Sequence, residues 1–219
     1  MHKVLDIINN GTGNFTLRVE RKNITFKPGQ FFSLGIPDIP INREYSVSSS
    51  LNDAYLDFLI REIEDGTLSS RLRKLKTNDE IKILGPYGEF YMEEMDFSKK
   101  YIFIASGTGI APFISIIKSN KNLDYELFHG VRNIEDIYDD GKIKNYTVFI
   151  SRNKNNINKR LSYKYFNGRI TDNLDFLKHY IDQEYLYFIC GNSSMVGDMY
   201  DFLEKNKIKT NKIFSELFF

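Results

Sequence analysis

The chain has 219 residues, a formal net charge of +1 and 27% charged residues. A balance this close to neutral gives no global electrostatic reason to expect nucleic acid or a membrane surface as a partner. The single cysteine, Cys190, excludes an intrachain disulfide and a cysteine-ligated zinc or iron–sulfur site, and the three histidines are too scattered to suggest a metal site. Redox chemistry in this chain would therefore need an organic cofactor.

The chain also lacks the sequence signals of export. Met1–Asn10 is too polar for a signal peptide, and no apolar run approaches the roughly 20 residues of a membrane-spanning helix. We therefore expect a cytoplasmic protein. We expect a monomer, although no motif reports on the oligomeric state.

Residues 1 to about 90 are typical of a β domain. Short runs of β-branched and aromatic residues alternate with turn signals, and one helical interruption is predicted at Ser69–Leu75. The predicted strands are Val4–Ile8, Asn14–Glu20, Phe31–Ile36, Tyr45–Ser49, Tyr55–Ile63 and Glu80–Leu84. Six short strands of this kind predict a small antiparallel β-barrel.

From Tyr101 onward, compact apolar runs alternate with segments of helical spacing, which predicts a doubly wound α/β domain with a parallel sheet. The predicted strands are Tyr101–Ala105, Tyr125–Phe128, Thr147–Ile150, Tyr185–Cys190 and the final run Lys212–Phe218. The predicted helices are Pro112–Lys118, Leu174–Ile181 and Met195–Leu203. We therefore expect two domains, residues 1–97 and 98–219, with an exposed loop at Arg152–Lys159.

A first candidate site lies in the segment Arg43-Glu44-Tyr45-Ser46-Val47-Ser48-Ser49. Alternate side chains on a strand share a face, so Arg43, Tyr45 and Val47 should point one way and Ser46 the other. A cation beside an aromatic ring, with a hydroxyl on the residue after the ring, is suited to bind a flavin nucleotide. The alternative is an ordinary strand whose Tyr is core and whose Arg and Ser residues are solvated.

A second candidate is the turn Gly66–Ser70 before the predicted helix. Ser69 can cap that helix, and the free N–H groups of a helix start attract anions. The alternative is a plain capped helix after a turn.

The loop Gly107-Thr108-Gly109-Ile110-Ala111-Pro112 follows a predicted strand and opens a helix. It departs from the dinucleotide fingerprint G-x-G-x-x-G because Pro112 replaces the third glycine. Phe128-His129-Gly130 stands where an acidic residue would hold the ribose of NAD. Both departures argue against a common NAD dehydrogenase.

Basic residues follow two other predicted strands of this domain. Arg132 and Ser151-Arg152 come just after strand ends, and Arg160 and Tyr163 follow in the Lys/Asn-rich loop. Such residues can clamp a 2′-phosphate, since Arg offers a planar fork of donors and Tyr can stack on adenine. The alternative is a solvated basic loop.

Taken in chain order, these segments resemble the motifs of the ferredoxin/flavodoxin–NADP reductase family: R-x-Y-S-x-x-S, G-x-x-S, G-T-G-x-A-P, S-R and C-G-x-x-x-M, the last at Cys190–Met195. The segment Glu216–Phe218 is similar to the acidic residue and flavin-covering aromatic of that family, with Phe219 as an extra residue that leaves the stacking Phe undecided. The resemblance covers essentially the whole chain. It implies an antiparallel FAD-binding β-barrel followed by a doubly wound α/β nucleotide-binding domain.

The resemblance also implies two sets of cofactor-binding residues. Those implied for FAD are Arg43, Tyr45, Ser46, Gly66, Leu68, Ser69, Thr108 and Phe218. Those implied for NADP(H) are Gly107, Thr108, Gly109, Pro112, Arg132, Ser151, Arg152, Arg160, Tyr163, Gly191 and Met195. Ser46, Cys190 and Glu216 would be catalytic, with Ser46 near flavin N5, Cys190 at the nicotinamide and Glu216 orienting the carboxamide.

The implied function is hydride transfer between NADPH and FAD, and transfer of single electrons between FAD and a separate ferredoxin or flavodoxin. One alternative is a NAD(P)H:flavin reductase that releases free reduced flavin. Another is the flavoprotein electron-transfer subunit of a larger oxygenase or dehydrogenase. The direction of electron flow and the physiological acceptor stay open at this point.

Overall fold

The structure is a computed structural model that describes residues 1–91, 96–138, 141–152 and 163–218. The chain divides into two compact units: Met1–Glu94 with Ala111–Lys121, and Met95–Ile110 with Asn122–Phe219. We expected each domain to be one continuous stretch, but Ala111–Lys121 packs with the first unit. The boundary between residues 97 and 98 stays a prediction, because it lies beside the undescribed residues 92–95.

The first unit contains six antiparallel strands in the order β4-β3-β6-β1-β2-β5. They are β1 (His2–Asn9), β2 (Asn14–Glu20), β3 (Phe31–Gly35), β4 (Asn42–Ser46), β5 (Tyr55–Arg61) and β6 (Glu80–Tyr87). Val47, directly after β4, forms a bridge with Phe58 of β5, so the two outer strands of the sheet meet. This closure is the geometry of a barrel, and the prediction of a six-stranded antiparallel barrel is confirmed.

The interior of the barrel is filled by alternating side chains of its strands. Phe15, Leu17 and Val19 of β2 are fully buried, and Phe32 and Phe58 meet edge to face with ring centroids 6.0 Å apart. Edge-to-face pairs of this kind suit the ring quadrupoles. The predicted helix at Ser69–Leu75 is the single turn α1 (Ser69–Leu72).

The second unit is a parallel sheet in the order β10-β9-β8-β7-β11-β12. Its strands are β7 (Lys100–Ser106), β8 (Asp124–Val131), β9 (Tyr146–Ile150), β10 (Lys164–Asn167), β11 (Leu186–Gly191) and β12 (Ile213–Leu217). The parallel α/β architecture is confirmed. Strand β10 was missed, because a short edge strand needs no continuous apolar run and its Lys164 and Asn167 are exposed.

Among the described residues after β7, the chain forms three α-helices: α2 (Ala111–Ser119), α3 (Leu174–Leu177) and α4 (Ser193–Lys205). The prediction of one helix over Leu174–Ile181 was wrong, because 3₁₀ turns at Ile170–Asn173 and Lys178–Tyr180 flank the single turn α3. The Asn173 amide donates to the Arg169 carbonyl at 2.8 Å, a local bond that competes with a regular helix. Helix α4 packs Met199 and Leu203 into the core of the second unit.

Helix α2 belongs to the first unit through polar contacts with the segment that follows β4. The Ser115 hydroxyl donates to the Ser49 carbonyl at 2.7 Å, and the Ser50 hydroxyl donates to the Lys118 carbonyl at 3.3 Å. The Ser115 side chain is fully buried, so its hydroxyl needs such a partner. In the described residues, no helix combines the length and apolar character needed to cross a bilayer.

Candidate functional site

The first half of the candidate site lies on β4. Arg43 is exposed, and its guanidinium donates to the Asn42 carbonyl at 3.0 Å. Tyr45 is half-buried, and burial raises the pKa of its hydroxyl to about 12, with the Arg43 charge acting in the opposite direction. The hydroxyl is therefore a neutral donor at physiological pH. Ser46, on the other face, is only 2% exposed.

The later residues of this motif have structural contacts. The Ser48 hydroxyl donates to the Asp57 carbonyl at 3.1 Å, and the Ser49 hydroxyl accepts from the Asp57 N–H at 3.1 Å. Val47 is fully buried, and Tyr45 packs partly against the same core. The packing of Tyr45 agrees with the alternative interpretation, in which this segment is an ordinary strand with a core Tyr. Arg43 is thus the exposed cation of the motif, with the half-buried Tyr45 on the same face of the strand.

The expected cap by Ser69 was wrong. Leu68 occupies the cap position of α1 without a side-chain bond, and the Ser69 hydroxyl instead accepts from the Ile63 N–H at 3.0 Å. The Ser70 hydroxyl donates to the Gly66 carbonyl, which closes the turn before the helix. Leu68 is a core residue, 3% exposed. Any anion at this turn would have to use main-chain N–H groups, and a one-turn helix adds little dipole.

The second half of the candidate site lies at the carboxyl edge of the parallel sheet. From β7 the chain continues to β8, β9 and β10 on one side, whereas β11 and β12 lie on the other side. The sheet therefore has its topological switch point between β7 and β11, where ligands of open α/β sheets bind. A 3₁₀ turn, Gly107–Ile110, follows β7 at this point, and Asn192 follows β11.

The two loops at the switch point touch each other through glycines. A Cβ on Gly109 would lie 2.5 Å from the Cys190 carbonyl oxygen, and a Cβ on Gly191 would collide with the Ser106 hydroxyl. That hydroxyl accepts from the Asn192 main-chain N–H at 3.1 Å and from its side-chain amide at 2.9 Å. Sequence reasoning missed the structural role of Ser106 and Asn192, because no motif marks a contact between distant loops.

The thiol of Cys190 is buried and neutral. Burial raises its pKa well above the usual range, and the nearby Glu216 carboxylate raises it further. Cys190 pairs with Ala105 of β7 on one side and with Glu216 of β12 on the other. Phe218 follows β12 and donates its main-chain N–H to the Gly191 carbonyl at 2.8 Å. The structure thus brings Cys190, Gly191, Glu216 and Phe218 to one edge.

Three further predicted residues belong to the chain segments that follow β7 and β11. Thr108 is half-buried within the 3₁₀ turn, and Pro112 is a buried residue in the first turn of α2, where proline is tolerated. The Met195 N–H donates to the side-chain oxygen of Asn192 at 3.0 Å, which caps α4.

The basic residues after β8 and β9 also meet at this edge. The Arg152 N–H donates to the Arg132 carbonyl at 2.9 Å, so the two arginines follow neighbouring strand ends. The Ser151 hydroxyl donates to the Val131 carbonyl at 3.2 Å. Arg160 lies outside the described residues.

Tyr163 does not join this group. Its ring lies 5.1 Å from that of Tyr146, the first residue of β9, and it directly precedes β10. It is therefore at the amino edge of the sheet, about 20 Å along the strand from Arg152. The sequence could not show this, because β10 was not predicted. Tyr163 was therefore assigned to the loop after β9, whereas it directly precedes β10.

His129, one of the three scattered histidines, is buried next to the turn that follows β7. It lies in β8, is 1% exposed, and contacts the Gly107 carbonyl through Nε2 at 2.8 Å and the Tyr146 hydroxyl through Nδ1 at 2.7 Å. Burial lowers its pKa to about 4, so the ring is neutral at physiological pH. The signal that could have found it is a polar ring inside an apolar strand.

Two family models match the two parts of the chain: an oxidoreductase FAD-binding domain at residues 6–91 and an oxidoreductase NAD-binding domain at residues 103–201. The flavodoxin/ferredoxin–NADP reductase of Buchnera aphidicola subsp. Baizongia pistaciae is 30% identical over 221 aligned residues, which cover 88% of this chain and 85% of that protein. The chain belongs to the ferredoxin–NADP reductase family.

Two other comparisons show the extent of the similarity to known proteins. The Neisseria gonorrhoeae ferredoxin NADP+ reductase with bound FAD and NADP shares the fold, with a TM-score of 0.79, 23% identity, and coverage of 100% of this chain and 98% of that one. The toluate 1,2-dioxygenase electron transfer component of Pseudomonas putida is 33% identical over 132 residues, 58% of this chain and 39% of that protein. The chain thus spans about two fifths of the length of such oxygenase components.

The residues present fit the two cofactors of this family. Gly107 is exposed and a Cβ there would meet nothing within 4 Å, so the space beside this residue is open to a ligand. Two arginines at the same edge can neutralise phosphates, and on β4 an exposed arginine stands beside a neutral phenol and a hydroxyl. In the described part of the chain, no group of three or more His, Cys, Asp or Glu side chains could hold a metal ion.

Proposed function

We propose that the protein is an FAD-dependent reductase that transfers a hydride between NADPH and FAD and exchanges single electrons with a separate ferredoxin or flavodoxin. The observation that carries this proposal is the gathering of Gly107–Ile110, Cys190, Gly191 and Glu216 at the switch point of the sheet. Membership of the ferredoxin–NADP reductase family supports it. When bound, the flavin accepts a two-electron hydride and releases electrons one at a time, which is the chemistry of the cofactor itself.

On the coenzyme side, the chain supplies position and polarity. We propose that main-chain N–H groups of the Gly107–Ile110 turn bind the pyrophosphate, as the start of a helical segment does for anions. Arg132, Arg152 and Ser151 would bind the 2′-phosphate, which requires the Ser151 hydroxyl to leave the Val131 carbonyl. Arg160 remains a candidate for the same phosphate, whereas Tyr163 is withdrawn from this role because it lies at the other edge.

At the reacting end of the coenzyme, a neutral thiol and a carboxylate stand on neighbouring strands. Cys190 would pack against the nicotinamide without introducing a charge, and Glu216 would accept a hydrogen bond from its carboxamide. Met195 would support the main chain at Gly191. Phe218 would occupy the place of the nicotinamide when no coenzyme is bound.

On the flavin side, we propose that Arg43 neutralises the pyrophosphate of FAD, and that the Tyr45 hydroxyl and the Ser46 hydroxyl donate hydrogen bonds to the ribityl chain or ring edge. Ser69 would contribute its main-chain N–H group, because its hydroxyl already has a partner. Gly66 would shape the turn, since its N–H donates to the Ile63 carbonyl at 2.8 Å. Thr108 would stand where the flavin and the nicotinamide meet. We further propose a cytoplasmic monomer with domains at residues 1–97 and 98–219.

The test is reduction of the purified protein's flavin by NADPH. The protein should be isolated with about one FAD, and adding NADPH without oxygen should bleach the flavin absorbance. Oxidised ferredoxin or flavodoxin should then accept electrons one at a time from the reduced flavin, which is reoxidised only when that second protein is present. A colourless protein that uses added FAD as a diffusible substrate would reject the proposal in favour of a flavin reductase.

A second candidate, the electron-transfer subunit of an oxygenase, is favoured by one observation: several of the similar proteins are oxygenase electron transfer components. In this case the protein would reduce an oxygenase iron–sulfur protein faster than flavodoxin. Stopped-flow rates of reoxidation with flavodoxin, a ferredoxin and a Rieske-type protein would separate the two candidates.

A further inference from the structure

His129 reaches from the middle of the parallel sheet to the proposed phosphate loop. Its Nε2 lies 2.8 Å from the Gly107 carbonyl oxygen, and its Nδ1 lies 2.7 Å from the Tyr146 hydroxyl. These two contacts tie the turn after β7 to β8 and β9, three neighbouring strands. None of the roles proposed above uses this side chain.

The chemistry of the partners determines which nitrogen carries the proton. A carbonyl oxygen can only accept, so the contact with Gly107 requires a hydrogen on Nε2. The buried ring is neutral, since burial lowers its pKa to about 4, and a neutral ring carries one hydrogen. Nδ1 is therefore the acceptor, and the Tyr146 hydroxyl donates to it. Tyr146 thus selects the tautomer that can donate to Gly107.

This donation fixes the orientation of one peptide plane. In a trans peptide the carbonyl oxygen and the following N–H point to opposite sides, so holding the Gly107 oxygen toward His129 turns the Thr108 N–H away from it. Gly107 has a φ of 55°, and a Cβ there would meet nothing within 4 Å. Glycine is permissive and a side chain at this position would contact nothing, so the hydrogen bond from His129 adds to the geometry of the 3₁₀ turn in orienting this plane.

We infer that His129, held by Tyr146, is a positioning residue for the coenzyme pyrophosphate: it keeps the Gly107 carbonyl inward and the Thr108 N–H outward, toward the anion. A flipped peptide would present an oxygen to the phosphates instead of a donor. This inference rests on the proposed function, because it requires the turn after β7 to bind the pyrophosphate.

The test compares two ligands on the FAD-loaded protein. NADP+ carries the pyrophosphate, whereas adenosine 2′-monophosphate carries only the 2′-phosphate. Replacing His129→Leu should weaken NADP+ binding about tenfold, the loss expected for one charge-assisted hydrogen bond, and leave adenosine 2′-monophosphate within about twofold. His129→Gln should restore most of the NADP+ affinity, because its side-chain amide can donate to the Gly107 oxygen. Tyr146→Phe should weaken NADP+ about threefold.

Tyr187→Phe is the matched control, since the Tyr187 hydroxyl bonds the Asp182 main chain and lies away from the loop. Equal loss for both ligands in His129→Leu, or unchanged NADP+ affinity, would overturn the inference. If His129→Leu does not fold, Tyr146→Phe decides by the same two-ligand comparison. Wild-type protein that binds neither ligand would reject the proposed function itself, which is a separate result.

Discussion

In the first unit the proposed flavin residues Arg43, Tyr45 and Ser46 lie on one strand, whereas the proposed coenzyme residues of the second unit come from the ends of several strands. The first group is local, so its geometry follows from strand periodicity alone. The second group depends on loop-to-loop contacts, such as that between Gly109 and the Cys190 carbonyl. A substitution on β4 should therefore act at one place, while a substitution in the second unit should spread to its neighbours.

The largest effect should come from Gly109→Ala. The new Cβ would lie 2.5 Å from the Cys190 oxygen, so the ends of β7 and β11 must move apart, at a cost of about 3 kcal/mol. NADP+ binding should be lost, with FAD content retained. Gly107→Ala is the control: its Cβ meets nothing, and only the left-handed φ costs about 1 kcal/mol. Urea unfolding measures the free energy of unfolding of both variants. Equal decreases in the two variants would contradict a specific close contact at Gly109.

Lowering the pH should destabilise the second unit, because His129 binds a proton more readily in the unfolded chain than in the folded one. Its folded pKa, about 4, lies below the ordinary 6.5, so between these values the unfolded chain binds a proton that the folded chain does not. The free energy of unfolding should therefore fall as pH decreases from 6.5 to 4, by up to about 3 kcal/mol, with no contribution from this group above 6.5. His129→Gln should lack this part of the slope. Identical slopes in urea titrations of both proteins would show that the ring is not the titrating group.

On β4, Arg43→Ala should yield largely FAD-free protein, because charged hydrogen bonds to a phosphate contribute about 1.5–3 kcal/mol each. Arg43 is exposed, so the free energy of unfolding of the apo protein should change by less than about 0.5 kcal/mol. Lys82→Ala, an exposed cation on β6, should keep its FAD. The ratio of flavin absorbance to protein absorbance measures the FAD content, and an undiminished ratio would remove Arg43 from the flavin site.

Arg152→Ala should raise the apparent KM for NADPH at least about tenfold, because a charge-assisted bond to the 2′-phosphate is lost. The KM for NADH should hardly change, since NADH lacks that phosphate. Lys144→Ala, an exposed cation at the amino edge of the same sheet, should leave both values unchanged. A wild-type preference for NADH would show that the carboxyl edge does not select the 2′-phosphate.

The smallest effect should come from Phe218→Ala. If the Phe218 ring competes with the nicotinamide, its removal should tighten the binding of NADP+ and NAD+ alike by a few-fold, about 1 kcal/mol. The main-chain bond to Gly191 does not need the ring. Phe214→Ala is the control, because that ring stacks on Phe188 at the other end of β12. The flavin–nicotinamide charge-transfer band reports the binding, and an unchanged band would remove Phe218 from this role.

The sequence predicted several strands of both units closely, and β2 to the residue, because apolar periodicity and turn residues are local signals. It missed β10 and the break-up of the helix at Leu174–Ile181, where edge position and local side-chain bonds override periodicity. It also misjudged Ser69, whose hydroxyl has a partner six residues away. Capping patterns show which bonds are possible, and packing selects among them.

By itself, the sequence determined the two fold classes, the order of the motifs and the family, since each rests on residues that lie close together in the chain. Only the tertiary structure decided which distant residues meet. In the structure, Gly109 lies against the Cys190 carbonyl, and Tyr163 lies at the opposite edge of the sheet from Arg152. His129 lies within hydrogen-bonding distance of the Gly107 carbonyl. The physical reason is that strand order and register place residues side by side that are tens of positions apart, and no local pattern records that order.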